Sequence, residues 1–143
     1  MKDAAKLWKD IAYRFAQQSH CQSRQVGAIL VNKHDHLIAQ GWNGAPSGSS
    51  CRHCRRCNEP CNSGENLEKA ICAHAEANLL GHCAKAGVAT NGATLYCTTR
   101  PCSECAKLII AAGIATVIYF EDYNRDDDAL QLFLDAGVAA KKG

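Results

Sequence analysis

An imidazole, a carboxylate and two thiols stand at spacings that could do chemistry together. They lie in His74-Ala75-Glu76 and, after a gap of 24 residues, in Pro101-Cys102-Ser103-Glu104-Cys105. One imidazole and two thiolates fill three corners of a zinc tetrahedron and leave the fourth to water. The two thiolates and a neutral His74 cancel the charge of the ion, yet such water is still acidified toward a pKa of about 7. Glu76 stays off the metal and can take that water's proton and hand it on within the reaction. That is the equipment for hydrolysis by an activated water. The alternative is a closed structural zinc with Cys72 or Cys97 as fourth ligand. The Glu two after the His and the Pro-Cys-x-x-Cys helix start together favour the open site.

These side chains need particular elements to hold them. Cys102 and Cys105, three apart, share one face of a helix that Pro101 opens, and their thiolates fall in its positive first turns. Residues two apart in mid-helix diverge by about 200°, so His74 and Glu76 converge only where a helix begins. The ordered helix should therefore start close to His74, with residues 67–73 as an approach segment or separate turn. The apolar spacing of Ala70, Ile71, Ala77, Leu80 and Ala84 alone reads as a helix over 67–85, ended by Gly87.

The remaining elements follow from periodicity. Ala4, Leu7, Trp8, Ile11, Ala12, Phe15 and Ala16 form one stripe of an amphipathic helix over 3–18. Residues 26–31 are a continuous apolar strand, the kind covered on both faces, and 37–40 pair with it across a turn. His34 and His36 fit that turn as solvated residues. Further strands are expected at 93–98 and 116–120, helices at 101–112 and 126–136, and at most a short strand at 138–140. Pro101 at a first helical position, Gly113 after the end and three aspartates at the start of the last helix are suitable termini. The order αββαβαβα makes a three-layer α/β/α sandwich around a mixed, roughly five-stranded sheet. No repeat or boundary divides residues 1–143.

Composition narrows the class. The 143 residues are 47% hydrophobic and 21% charged, with a net charge of +2, so there is no bulk attraction to nucleic acid or membrane. No apolar run approaches the ~18 residues of a membrane span, and the charged start lacks the apolar core of a signal peptide. The expected location is the cytoplasm. There, ten cysteines favour metal over disulfides.

Two stretches between the strands and the His-Ala-Glu motif have their own composition. Gly41-Trp42-Asn43-Gly44-Ala45-Pro46-Ser47-Gly48 suits a loop whose backbone approaches a ligand, within an irregular segment at 41–66. Cys51, His53, Cys54, Cys57 and Cys61 then offer four thiols and an imidazole in eleven residues. A second, structural zinc would fix this segment, with Cys21 and Cys72 as candidates to complete its four ligands. Arg52, Arg55 and Arg56 fit either phosphate binding or a solvated basic face.

On these residues the chain resembles the cytidine-deaminase-like superfamily, whose signature is H-x-E…P-C-x-x-C. Within it the chain looks like the phage or bacterial deoxycytidylate deaminases. The carriers are Val26-Gly27-Ala28, the 41–48 loop with Trp42 where that group usually has Tyr, His74-Ala75-Glu76-Ala77-Asn78, Pro101-Cys102-x-x-Cys105-Ala106-Lys107, and Phe120-Glu121-Asp122-Tyr123. The resemblance covers nearly the whole length. It implies hydrolysis of dCMP to dUMP, with Asn43 on the deoxyribose, Ala28 near the pyrimidine, and Arg24 or Tyr123 near the phosphate. Gly44, Ala75 and Thr98 complete the substrate-binding expectations. It also implies a homo-oligomer, commonly a hexamer, activated by dCTP with Mg²⁺ and inhibited by dTTP, the regulatory nucleotide lying near the Gly-rich loop. A second zinc, held by a Cys placed like Cys21 and by the loop before His74, is part of the same implication.

Three other readings stay open: a deaminase of dCTP, a deaminase of a base in RNA or single-stranded DNA, and a catalytically silent zinc-binding regulatory module. Nine aromatic residues, and an arginine cluster limited to Arg52, Arg55 and Arg56, argue against nucleic acid. The intact Glu76 argues against the silent module.

Overall fold

The computed structural model describes residues 3–21, 24–50, 70–123 and 128–143. Helix α1 (Ala4–Ala16) leads into strands β1 (Gly27–Val31) and β2 (Leu37–Trp42). Helix α2 (Ala75–Ala86), β3 (Thr94–Thr99), α3 (Ser103–Ala111), β4 (Thr116–Glu121), α4 (Asp128–Asp135) and β5 (Ala139–Lys142) follow. The five strands form one sheet in the order β2-β1-β3-β4-β5. β1 is antiparallel to both β2 and β3, whereas β3, β4 and β5 run parallel. The expected α/β class with a mixed five-stranded sheet is the observed one.

Alternation along the strands explains the layers. Ile29 and Val31 of β1, with Tyr96 and Phe120, face α1 through Trp8 and Ala12. Ala28, Leu30, Leu95, Cys97 and Val117 face the other way, onto Leu79 and Cys83 of α2, Ile109 of α3 and Phe133 of α4. Among the described residues, one helix therefore covers one face and three cover the other. All five residues of β1 are buried, as a strand with helices on both faces requires.

Two glycines set how closely the helices approach. A Cβ on Gly27 would lie 2.3 Å from the Ala12 carbonyl oxygen, so only glycine lets α1 sit this close to β1. A Cβ on Gly41 would lie 2.6 Å from the Ala75 oxygen and 2.8 Å from the Leu79 nitrogen, which seats the first turn of α2 against β2.

Several boundaries differ from those expected. Helix α2 begins at Ala75, with His74 as its extended N-cap (φ −67°, ψ 156°), so apolar spacing overran the start by placing Ala70 and Ile71 in the helix. The argument from the His74/Glu76 spacing gave the correct start. Helix α3 begins at Ser103 with Cys102 as N-cap (φ −74°, ψ 171°), so Pro101 precedes the cap rather than opening the helix. β2 runs on through Gly41 and Trp42, because Gly41 is required for close packing and not for a turn. β5 extends to Lys142, paired with Tyr119. The expected start of the last helix at 126 lies outside the described residues. His34 and His36 are exposed in their turn, as expected.

Candidate functional site

Cys102 and His74 cap the N-termini of α3 and α2, and neither side chain makes a capping hydrogen bond. Both side chains turn to each other instead. His74 Nδ1 lies 3.4 Å from Cys102 Sγ and 3.3 Å from Cys105 Sγ. The three ligand atoms are all within 4.8 Å of one another. Tetrahedral zinc with ordinary bond lengths separates its nitrogen and sulfur ligands by roughly 3.5–3.8 Å, so the group fits that ion closely. Among the described residues no fourth His, Cys, Asp or Glu joins the group. Cys72 and Cys97 therefore do not close it, and the described residues leave one corner open.

Charge in the site follows from burial and proximity. The Cys102 thiol is pulled down to about 4 by a hydrogen bond from the Cys105 thiol, aided by the His74 imidazole. Cys105 is pushed up by that same thiolate and by burial. His74 is raised, chiefly by its hydrogen bond to Cys102. Glu76, on the first turn of α2 and only 4% exposed, is raised by burial, with the nearby imidazole pulling it back. Burial raises the Cys97 thiol, and the neighbouring Glu76 carboxyl adds to the rise. A buried carboxyl beside a metal-ligand group, yet not part of it, is suited to carry a proton.

The parallel strands β3 and β4 end on this side of the sheet, where ligands of α/β folds gather. β1 starts and β2 ends there, since Gly27 pairs with Trp42. The Gly27 N–H donates to Thr98 Oγ1 at 3.1 Å, tying β1 to β3 beside the ligands. Ala28, Ala75 and Thr98 are almost fully buried, the two alanines in the same apolar cluster as Cys97 and Cys105. Arg24 is exposed, and Tyr123 is half-buried just past β4. Asn43 Oδ1 accepts from the Val26 N–H at 2.8 Å, and its Nδ2 donates to the Arg24 carbonyl at 2.7 Å. Its amide thus builds the entry to β1, keeping one hydrogen and one lone pair for a ligand. Gly44 exchanges two backbone hydrogen bonds with Ala73, next to His74.

Three residues that spacing did not single out hold this arrangement. Ser19, buried, donates to the Asn43 carbonyl at 2.7 Å and accepts from the Cys21 N–H at 3.2 Å. Asn78 donates to the carbonyls of Trp42 (3.0 Å) and Gly44 (3.1 Å). Arg100, almost buried, donates from its guanidinium to the Tyr123 carbonyl, joining the ends of β3 and β4. A charged residue at the end of a buried strand and an amide on a buried helix turn were the available signals.

For the second zinc, Cys21 and Cys72 are half-buried and chained to Asn43 and Gly44 through Ser19 and Ala73. The other expected ligands, Cys51, His53, Cys54, Cys57 and Cys61, lie outside the described residues, as do Arg52, Arg55 and Arg56. A separate cavity of about 640 Å³ opens between the Gly-rich loop and α2, lined by Trp42, Pro46, Ser47, Asn78, His82 and Lys85 among others. None of His74, Cys102 and Cys105 lines it.

Comparison with known proteins agrees with this geometry. The model of the cytidine and deoxycytidylate deaminase zinc-binding region matches residues 2–121. The deoxycytidylate deaminase of Schizosaccharomyces pombe is 38% identical over 136 residues, covering 93% of this chain but only 42% of that protein. The deoxycytidylate deaminase of Homo sapiens is 38% identical over 138 residues, covering 92% of this chain and 75% of that one. The crystal structure of dCMP deaminase from cyanophage S-TIM5, in complex with dCMP and dUMP, superposes with a TM-score of 0.81 at 30% identity. That match covers 100% of this chain and 98% of the other. Among the described residues no helix is long and apolar enough to cross a membrane.

Proposed function

The chain belongs to the family of cytidine and deoxycytidylate deaminases that share a zinc-binding region, and from that premise we propose that it hydrolyses dCMP to dUMP and ammonia. The observation that carries the reading is the three-membered His74/Cys102/Cys105 group with the buried, unliganded Glu76 beside it. His74, Cys102 and Cys105 hold the zinc, which when bound supplies an acidified water and a Lewis acid.

The chain's own residues do the rest. Glu76 as carboxylate accepts a proton from the attacking water and delivers it to N3 of the pyrimidine. It then passes the second proton to the exocyclic nitrogen as the C4–N bond breaks and ammonia leaves. The water oxygen remains on C4, so the product is dUMP. Burial on the first turn of α2, beside Cys97, keeps the Glu76 carboxyl within the site. Asn43 offers its remaining donor and acceptor to the sugar hydroxyl. Arg24 and Tyr123, at the rim, receive the 5′-phosphate.

The same reading includes regulation and assembly. The cavity beside the Gly-rich loop offers an indole face at Trp42 and basic groups at His82 and Lys85, a setting suited to a nucleotide. It is the proposed seat of activating dCTP with Mg²⁺ and of inhibiting dTTP, in a homo-oligomer with a hexamer as the expected form. A structural zinc held by four residues among Cys21, Cys51, His53, Cys54, Cys57, Cys61 and Cys72 would brace the segment leading into His74. A location in the cytoplasm, where dCMP is made and used, fits this activity.

The test is a panel of dCMP, dCTP, deoxycytidine and cytidine given to the zinc-loaded protein, with ammonia release followed. Turnover of dCMP above the others is expected. Turnover of dCTP equal to that of dCMP would remove the monophosphate specificity.

A further inference from the structure

His74 is the most exposed of the three proposed ligands, and Cys105 is buried. Metal-ligating histidines are usually oriented by a hydrogen bond from the second ring nitrogen. Here Nδ1 faces the two thiols, and among the described residues Nε2 finds no hydrogen-bond partner. The described residues orient this ring through its backbone.

The backbone on both sides of His74 is clamped, and one side chain closes the clamp. Ala73, immediately before it, exchanges hydrogen bonds of 2.8 and 3.1 Å with Gly44. The His74 carbonyl accepts the N–H of Asn78 at 2.9 Å, the first turn of α2. The Asn78 side chain then reaches back with Nδ2 to the carbonyls of Trp42 at 3.0 Å and Gly44 at 3.1 Å. An amide nitrogen has two hydrogens, so both are used, while the Ala73 carbonyl stands at the 3.5 Å limit. Asn78 is half-buried, and losing those donors unties α2 from the end of β2 at Trp42 and leaves Gly44 only its bond from the Ala73 N–H.

The geometry points to Asn78 as a positioning residue for the metal site: its amide locks the end of β2, the 73–74 approach and the first turn of α2 into one unit, fixing the His74 imidazole over the thiols. This rests on His74 being a metal ligand. It adds that a residue touching neither metal nor substrate determines how tightly the site binds zinc. Asn78 also lines the neighbouring cavity, so a molecule filling that cavity would touch the clamp.

The test measures zinc affinity by competition with a chromophoric chelator, together with the visible spectrum of the Co²⁺-substituted protein. It compares the unaltered chain with Asn78→Asp, Asn78→Ala and His74→Ala. Asn78→Asp keeps the shape but replaces two donors with an oxygen facing carbonyls, so its effect reports the hydrogen bonds rather than volume. Removing an outer-sphere support typically weakens metal binding by about 10–100-fold, and that loss is expected in both Asn78 variants, with altered Co²⁺ bands. Unchanged affinity and bands in folded Asn78→Asp would overturn the inference, as would a lowered Tm with unchanged affinity. If Asn78→Ala does not fold, Asn78→Asp alone decides. Should His74→Ala also bind zinc normally, the metal assignment itself fails, which separates that failure from failure of the clamp.

Discussion

Glu76 is buried beside Cys97 and Cys105, and among the described residues no salt bridge neutralises its carboxyl, which burial raises. A carboxylate so placed has no packing task that an amide could not perform. Glu76→Gln is therefore expected to retain one catalytic zinc per chain while losing dCMP turnover by about 10²–10⁴-fold, the usual contribution of a positioned acid–base group. Turnover within a factor of a few of the unaltered chain would remove Glu76 from the chemistry. At this scale the sequence was informative because the chemistry itself constrains spacing. A His, a Glu two residues on and a Cys-x-x-Cys pair leave few other uses. Asn78 was less legible, since its acceptors are backbone carbonyls 34 and 36 residues away that no side-chain pattern announces.

The two ligand-bearing helices begin at the metal group rather than pass through it, and the sheet beneath determines where they begin. Gly41 is the contact that seats α2. Gly41→Ala would drive a methyl group into the Ala75 carbonyl and the Leu79 backbone, and overpacking of this kind costs about 1–3 kcal/mol. The expected outcome is a lower Tm accompanied by weaker zinc binding, because α2 carries His74 at its cap. A Tm equal to that of the unaltered chain would show that α2 has room to move. The same glycine explains an error of reading. The density of glycines suggested a loop from residue 41, whereas the first belongs to β2 and is small to admit a helix. Tertiary packing, invisible to local composition, decided that boundary, whereas the start of α2 was legible from the His74/Glu76 spacing though not from apolar periodicity. The strands of the sheet interior were legible because burial on both faces leaves a continuous apolar run.

Across the whole molecule, α1 is pinned to the end of β4 by Tyr13, whose hydroxyl donates to Glu121 Oε2 at 2.6 Å across 108 residues of sequence. Burial and then this bond raise the Tyr13 phenol from 10.0 to about 12. Folding thus favours the protonated phenol, so the contribution is complete below pH 10 and is lost as pH rises through about 12. A plot of Tm against pH should fall over that window, and Tyr13→Phe should flatten this part of the fall. An unchanged slope in Tyr13→Phe would show that the pair carries no linkage. Zinc content belongs to the same scale. Elemental analysis is expected to give two zincs per chain, one of them lost in His74→Ala, and a value of one in the unaltered chain would remove the structural site. The most direct test of the central claim is the reaction itself, with dCMP given to the zinc-loaded chain and dUMP and ammonia measured together. Equal amounts of both products, abolished by Glu76→Gln, are the predicted result, and a zinc-replete protein that leaves dCMP untouched would contradict the account.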